Sequence, residues 1–135
     1  MENIDIEAFY KNCDIIAEKY GKSFTYTDTG KDIQTLDSLV TMIHEDYKNN
    51  SLEFNPNTVA VSLGIFLGQK MLDTELSSLG FCWEVKGKEP VLQLNENNIM
   101  FPLTKVYKHI MNGPEDSVGS FYQAGLIIAK NEMNK

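Results

Sequence analysis

Apolar residues follow a helical period through the first half of the chain and an alternating period after Gly80. Ile6, Phe9, Tyr10, Cys13, Ile16, Ala17 and Tyr20 recur at i, i+3, i+4 and i+7, which predicts one buried helix face closed by Gly21. Lys22 to Gly30 is polar and reads as a loop. A second helix carries Ile33, Leu36, Val40, Ile43 and Tyr47 on one face, with Asp32 as its candidate N-cap and Asn49-Asn50-Ser51 as its end. Pro56 and Asn57 open a third helix that should run to about Ser77.

In that third helix Ala60, Gly64 and Gly68 recur every fourth residue, so they form one stripe with no side chain larger than a methyl. Each glycine costs about 1 kcal/mol relative to alanine in a helix interior. Close approach by another element is the usual compensation. Val59, Val61, Leu63, Ile65, Phe66 and Leu67 make the remaining faces apolar, which predicts a buried helix.

After Gly80 the pattern alternates. Phe81, Trp83 and Val85 share one face of a strand, Gly87 turns the chain, and Val91 to Leu94 forms a second strand. Glu96-Asn97-Asn98 is a turn signal before a short strand, Ile99 to Phe101. Pro102 suits the first position of a fourth helix with Leu103, Val106, Tyr107, Ile110 and Met111 inward. Asn112-Gly-Pro114 stops it. Glu115 and Asp116 favour the start of a fifth helix with Val118, Phe121, Tyr122, Gly125 and Ala129 on one face. The pattern predicts a single α+β domain over 1–135: about five helices around a small three-stranded antiparallel meander, with the glycine-striped helix against the sheet.

Composition narrows the function classes. Hydrophobic residues at 42% and charged residues at 23% are ordinary for a folded domain of 135 residues. The longest apolar run is far shorter than the roughly 20 residues of a membrane span, and Met1-Glu-Asn-Ile-Asp lacks the basic and apolar regions of a signal peptide, so a cytoplasmic location is expected. Net charge is −7, and all twelve basic residues are lysine. Without arginine the chain lacks the bidentate fork that reads phosphate and guanine, and an acidic surface repels a duplex or an anionic membrane. A nucleic-acid or membrane role is disfavoured, and a basic protein partner is favoured.

Few residues carry chemistry. Cys13 and Cys82 form no CxxC pair, and both read as small buried hydrophobes. His44-Glu45-Asp46 resembles half of HExxH, but position 48 is Lys48. His44 and His109 therefore read as surface or helix-end residues. Ser62 lies mid-helix, outside any GxSxG elbow, and Gly64-x-x-x-Gly68 lacks the ending of a phosphate loop. The adjacent acids of Glu45-Asp46 and Glu115-Asp116 point in different directions on a helix, so neither pair makes an acid/base site by spacing. No catalytic residue, metal ligand or cofactor site is expected. Trp83, the single tryptophan, reads as a core anchor over the glycine stripe.

The order of these signals carries a resemblance. Leu63-Gly64-x-x-Leu67-Gly68, then Trp83, then Phe101-Pro102-Leu103 before a helix, then Gly113-Pro-Glu-Asp116-Ser117 resembles a group of small bacterial domains of unknown function. In that group LG-x-x-LG, W, P and G-x-x-D-S recur in this order. The likeness covers residues 57 to 125 or so and leaves the N-terminal helices, residues 1 to 50, outside. Some relatives of this kind resemble immunity proteins encoded beside bacterial toxins, and the group supplies no catalytic residues.

The resulting expectation is a non-enzymatic cytoplasmic protein-binding domain, an immunity-type or regulatory partner of a bacterial protein. The alternative is a small-molecule-binding or enzymatic domain with a pocket beside the meander. A basic partner would meet Glu45, Asp46, Glu115 and Asp116, with Tyr122 as an aromatic anchor. Gly64, Gly68, Trp83 and Pro102 are assigned to the framework.

Overall fold

A computed structural model describes residues 4–133. Its helices are α1 (Ile6–Lys19), α2 (Thr29–Lys48), α3 (Pro56–Met71), α4 (Pro102–Asn112) and α5 (Val118–Met133). A π-helical turn (Leu72–Leu76) prolongs α3, and a 3-10 turn (Pro114–Asp116) precedes α5. The strands β1 (Cys82–Lys86), β2 (Glu89–Asn95) and β3 (Asn98–Met100) form one antiparallel sheet in that order. The architecture is the expected single α+β domain. No helix among the described residues is long and apolar enough to cross a membrane.

Side-chain caps fix where the helices begin. Asp5 accepts from the Ala8 amide, Asp28 from the Lys31 amide, and Asn55 from the amides of Asn57 and Thr58, each satisfying an otherwise unpaired first-turn donor. Pro56 and Pro102 start α3 and α4, where a missing N–H costs nothing. The cap of α2 is Asp28 rather than Asp32. Asp32 is fully buried, and its two carboxylate oxygens accept from the amides of Thr25 (2.7 Å) and Tyr26 (2.8 Å), holding the preceding loop against the helix. Tyr26 takes a left-handed backbone there, at φ 61°.

The glycine stripe is where the fold closes. A methyl group at Gly64 would sit 2.5 Å from Leu103 Cα and 3.0 Å from its amide nitrogen, so the backbones of α3 and α4 meet there. A methyl at Gly68 would overlap the Trp83 ring, 2.7 Å from Cζ2, and lie 3.1 Å from Pro102 Cγ. The stripe thus receives α4 at one glycine and β1 together with the head of α4 at the next. The opposite side of α3 presents Phe66, whose ring stacks 4.4 Å from Phe24 and edge-on to Tyr10 at 5.5 Å. That packing binds α1 and the following loop.

The sheet register carries the packing across the molecule. Trp83 pairs with Leu92 and Leu92 with Met100, a cross-strand row on one face. Its first member covers Gly68. Its last approaches Gly125 of α5, where a methyl would lie 3.3 Å from Met100 Sδ and 2.7 Å from Met71 Cε. β1 is an edge strand, and its outer half is wet: Cys82 is exposed and Val85 is 51% exposed. The reading of Cys82 as buried therefore fails, because strand alternation turned it outward on an uncovered edge. Trp83 is half-buried. Tyr47 and Tyr107, expected inward, sit at the rims of their helix faces and are about as exposed as Phe101.

Gly64→Ala tests the close approach. In an open helix this change gains helix propensity, but here it should destabilise by about 1–3 kcal/mol because Leu103 presents backbone, which cannot swing aside. Urea melts of the two proteins read the sign directly.

Candidate functional site

The two acidic segments singled out by sequence lie on different elements, and the fold brings them side by side. His44, on α2, donates from Nδ1 to the Ile110 carbonyl of α4 at 2.8 Å, and its Nε2 lies 2.8 Å from where a Cβ on Gly113 would stand. Gly113 has φ +88°, a conformation that suits glycine, and so it turns the chain tightly against the imidazole. The end of α2 and the Pro114–Asp116 turn are thereby joined.

Within that end the acids divide. Asp46 accepts from the Tyr20 hydroxyl at 2.6 Å and from Ser51 Oγ, tying α2 to α1. Asp116 accepts from Asn112 Nδ2 at 2.9 Å and pairs with Lys105 Nζ at 3.1 Å, and these bonds hold its carboxyl below the usual carboxylate range. Glu45, which also pairs with Lys48, and Glu115 are exposed. Tyr122 is half-buried, and its hydroxyl bonds Thr74 Oγ1 at 2.9 Å in the turn after α3. Glu45 and Glu115 are thus the solvent-facing acids of the four, while Asp46, Asp116 and Tyr122 serve contacts inside the fold.

Beside this end, three side chains from three elements close the N-terminus of α5. Ser117 Oγ accepts from the Ser120 amide, Asp37 Oδ1 on α2 from the Gly119 amide at 3.0 Å, and His109 Nδ1 on α4 from the Val118 amide at 3.3 Å. Ser117 Oγ also donates to Asp37 at 2.7 Å. The Val118 amide reserves Nδ1 as an acceptor, so His109 carries its proton on Nε2 and donates it to Thr41 Oγ1 at 2.8 Å. His109 is fully buried, not a helix-end surface residue, and burial pushes its pKa below the ordinary value, with Asp37 at 3.9 Å opposing that shift. The serine, histidine and aspartate resemble a hydrolase triad only in composition. The serine proton goes to Asp37 and the histidine faces a threonine.

Sequence reasoning missed Asp37 and Lys70. Lys70 is 5% exposed, with Nζ 5.5 Å from the Phe66 ring centre and 5.7 Å from those of Tyr10 and Tyr26, so the cation is housed against aromatic faces. A lysine in the apolar register of α3 was the available signal. Asp37 offered none, since its partners lie about eighty residues away. Cys13 is buried as expected, its thiol donating to the Ser62 carbonyl at 3.2 Å. Among the described residues no group of three or more His, Cys, Asp and Glu is placed to hold a metal ion.

An open cleft of ≈ 310 Å³ lies between the β1–β2 hairpin, α3 and α4. Ala60, Val61, Pro90 and Leu103 form much of its lining, and Thr104 there already donates to Glu89 at 2.6 Å. Comparison of the chain with protein-family models, with curated proteins and with solved structures finds no match.

The His109 junction predicts a pH dependence. Its folded-state pKa is lowered, so as pH falls the unfolded chain takes up the proton first. The stability tied to the neutral ring is whole above about pH 6.5 and is lost as pH drops through that value toward the folded pKa. Urea midpoints measured near neutrality and about one unit below pH 6.5 should differ more for the wild type than for His109→Gln, which keeps an amide donor and acceptor but cannot titrate.

Proposed function

We propose that this domain acts by binding another protein rather than by catalysis, as a cytoplasmic immunity-type or regulatory partner of a bacterial protein. The observation that carries this reading is the joining of the α2 end to the Pro114–Asp116 turn through His44 and Gly113, which leaves Glu45 and Glu115 exposed on adjoining segments. A chain of net charge −7 without arginine gains encounter rate with a basic protein. The side chains best suited to chemistry support the same reading through their present bonds. His109 and Asp37 hold α5, His44 holds α4, and Lys70 is sealed among rings. The cleft beside the hairpin favours a second reading, a small ligand resting on Ala60 and Leu103 with Lys88 at the hairpin.

The test uses Glu45→Gln/Glu115→Gln, which leaves the structural acids Asp46 and Asp116 untouched. Wild type and variant are immobilised and exposed to lysate of the native cell at low and high salt, and captured proteins are identified by mass spectrometry. The expected result is a basic protein held severalfold better by the wild type and released as salt screens the contact. Equal capture by both proteins at every salt concentration would refute an electrostatic partner site at this end.

A further inference from the structure

A second surface has a different character. Asn97–Thr104 and Val118–Ala129 contain no charged residue, an unusual pair of gaps in a chain that is 23% charged. The structure places these two stretches next to each other. A trough of ≈ 270 Å³ between β3 and α5 is lined by Phe81, Asn98, Met100, Phe121, Gly125 and Ile128. A second of ≈ 560 Å³ shares Ile99, Met100 and Phe121 with it and runs past Phe101 to Glu89, Lys105 and Lys108, where the uncharged face ends. Ile127 and Ile128 are each 59% exposed, and Phe101 is 39% exposed. At 100° per residue Ile127 points directly away from Val118, which is fully buried, so no inward packing explains it. Single exposed isoleucines are ordinary, but an apolar face continuous over a helix, a strand and a helix start is not.

We propose that this face joins two copies of the chain about a two-fold axis, with α5 against α5. Charge selects the occupant. Two molecules of charge −7 repel over most of their surfaces, and on this face neither the Asn97–Thr104 nor the Val118–Ala129 stretch sets one carboxylate against another. A basic partner would gain nothing here from the acidity of the domain. Shape points the same way. A two-fold contact requires a patch that complements itself, and here a projection, Ile127, stands beside a recess, the β3–α5 trough walled by Ile128. Rotation by half a turn sets the projection of each copy over the recess of the other. The inference is independent of the proposed partner site, which lies on other residues.

Sedimentation velocity of the full chain across the micromolar range tests it, with Ile127→Lys and Ile15→Lys as variants. Ile15 on α1 is 60% exposed, so the two changes add the same charge at equally wet positions. Lysine also reduces the net negative charge, so a loss of pairing at position 127 cannot come from added like-charge repulsion. The expected result is a wild-type dimer that Ile15→Lys preserves and Ile127→Lys weakens at least about tenfold, with unchanged circular dichroism in both. Salt should tighten the dimer by screening repulsion between the two acidic copies, the reverse of its effect on a basic partner. A wild type that stays monomeric, a dimer indifferent to Ile127→Lys, equal loss with both variants, or loosening by salt would each overturn the proposal.

Discussion

The meeting of α3 with its neighbours at Gly64 and Gly68 is the constraint on which the rest of the structure depends. At Gly64 the approaching atom is Leu103 Cα, so the distance between two helices is set by backbone, not by adaptable side chains. At Gly68 the Trp83 ring lies on the helix surface and its Nε1 donates to Gln69 Oε1 at 3.1 Å. Two glycines in a helix interior cost about 2 kcal/mol of propensity together. The burial of Trp83, Pro102 and Leu103 that they permit offsets that cost. Once Trp83 is seated, the register passes the contact through Leu92 to Met100, and Met100 with Met71 meets α5 at Gly125. Placement of the last helix thus follows from the third.

Polar groups do the complementary task of fixing segments that apolar packing alone would leave loose. The N-terminus of α5 is held by Asp37, His109 and Ser117, and the loop before α2 by Asp32. Asp32, Asp37 and His109 meet backbone amides in partly or fully buried places, where an unpaired donor is costly. The same kind of bond commits both histidines, Asp32 and Asp37 to contacts inside the fold. Exposed acids are spread over several elements, Glu45 and Glu115 among them, whereas β3 and α5 as far as Ala129 carry no charge.

Local periodicity made the fold legible. The glycine stripe, Trp83 and Pro102 were recognisable because each obeys a rule about neighbours a few residues apart, and all three meet in the structure at Gly68. Boundaries were less legible where a competing acceptor was near. Asp32 reads as a cap, yet Asp28 takes that role and leaves Asp32 free to bind the loop. The site was less legible still. His109 and Asp37 act on amides of α5 that sequence separation hides, and the pairing of Asp46 with Tyr20 and of Asp116 with Lys105 removes two acids that helical spacing had placed in solvent. Cys82 shows the limit of alternation, which assigns a strand residue to a face without saying whether that face is covered.

The claim that α3 carries glycine because Trp83 lies against it is tested most directly by a double-mutant cycle of Gly68→Ala and Trp83→Ala, read by equilibrium unfolding. Alone, Gly68→Ala should destabilise, because the new methyl displaces the indole. In the Trp83→Ala background the same change should become neutral or stabilising by up to about 1 kcal/mol, the helix propensity that glycine forgoes. An effect of Gly68→Ala with the same sign and size in both backgrounds would contradict the account.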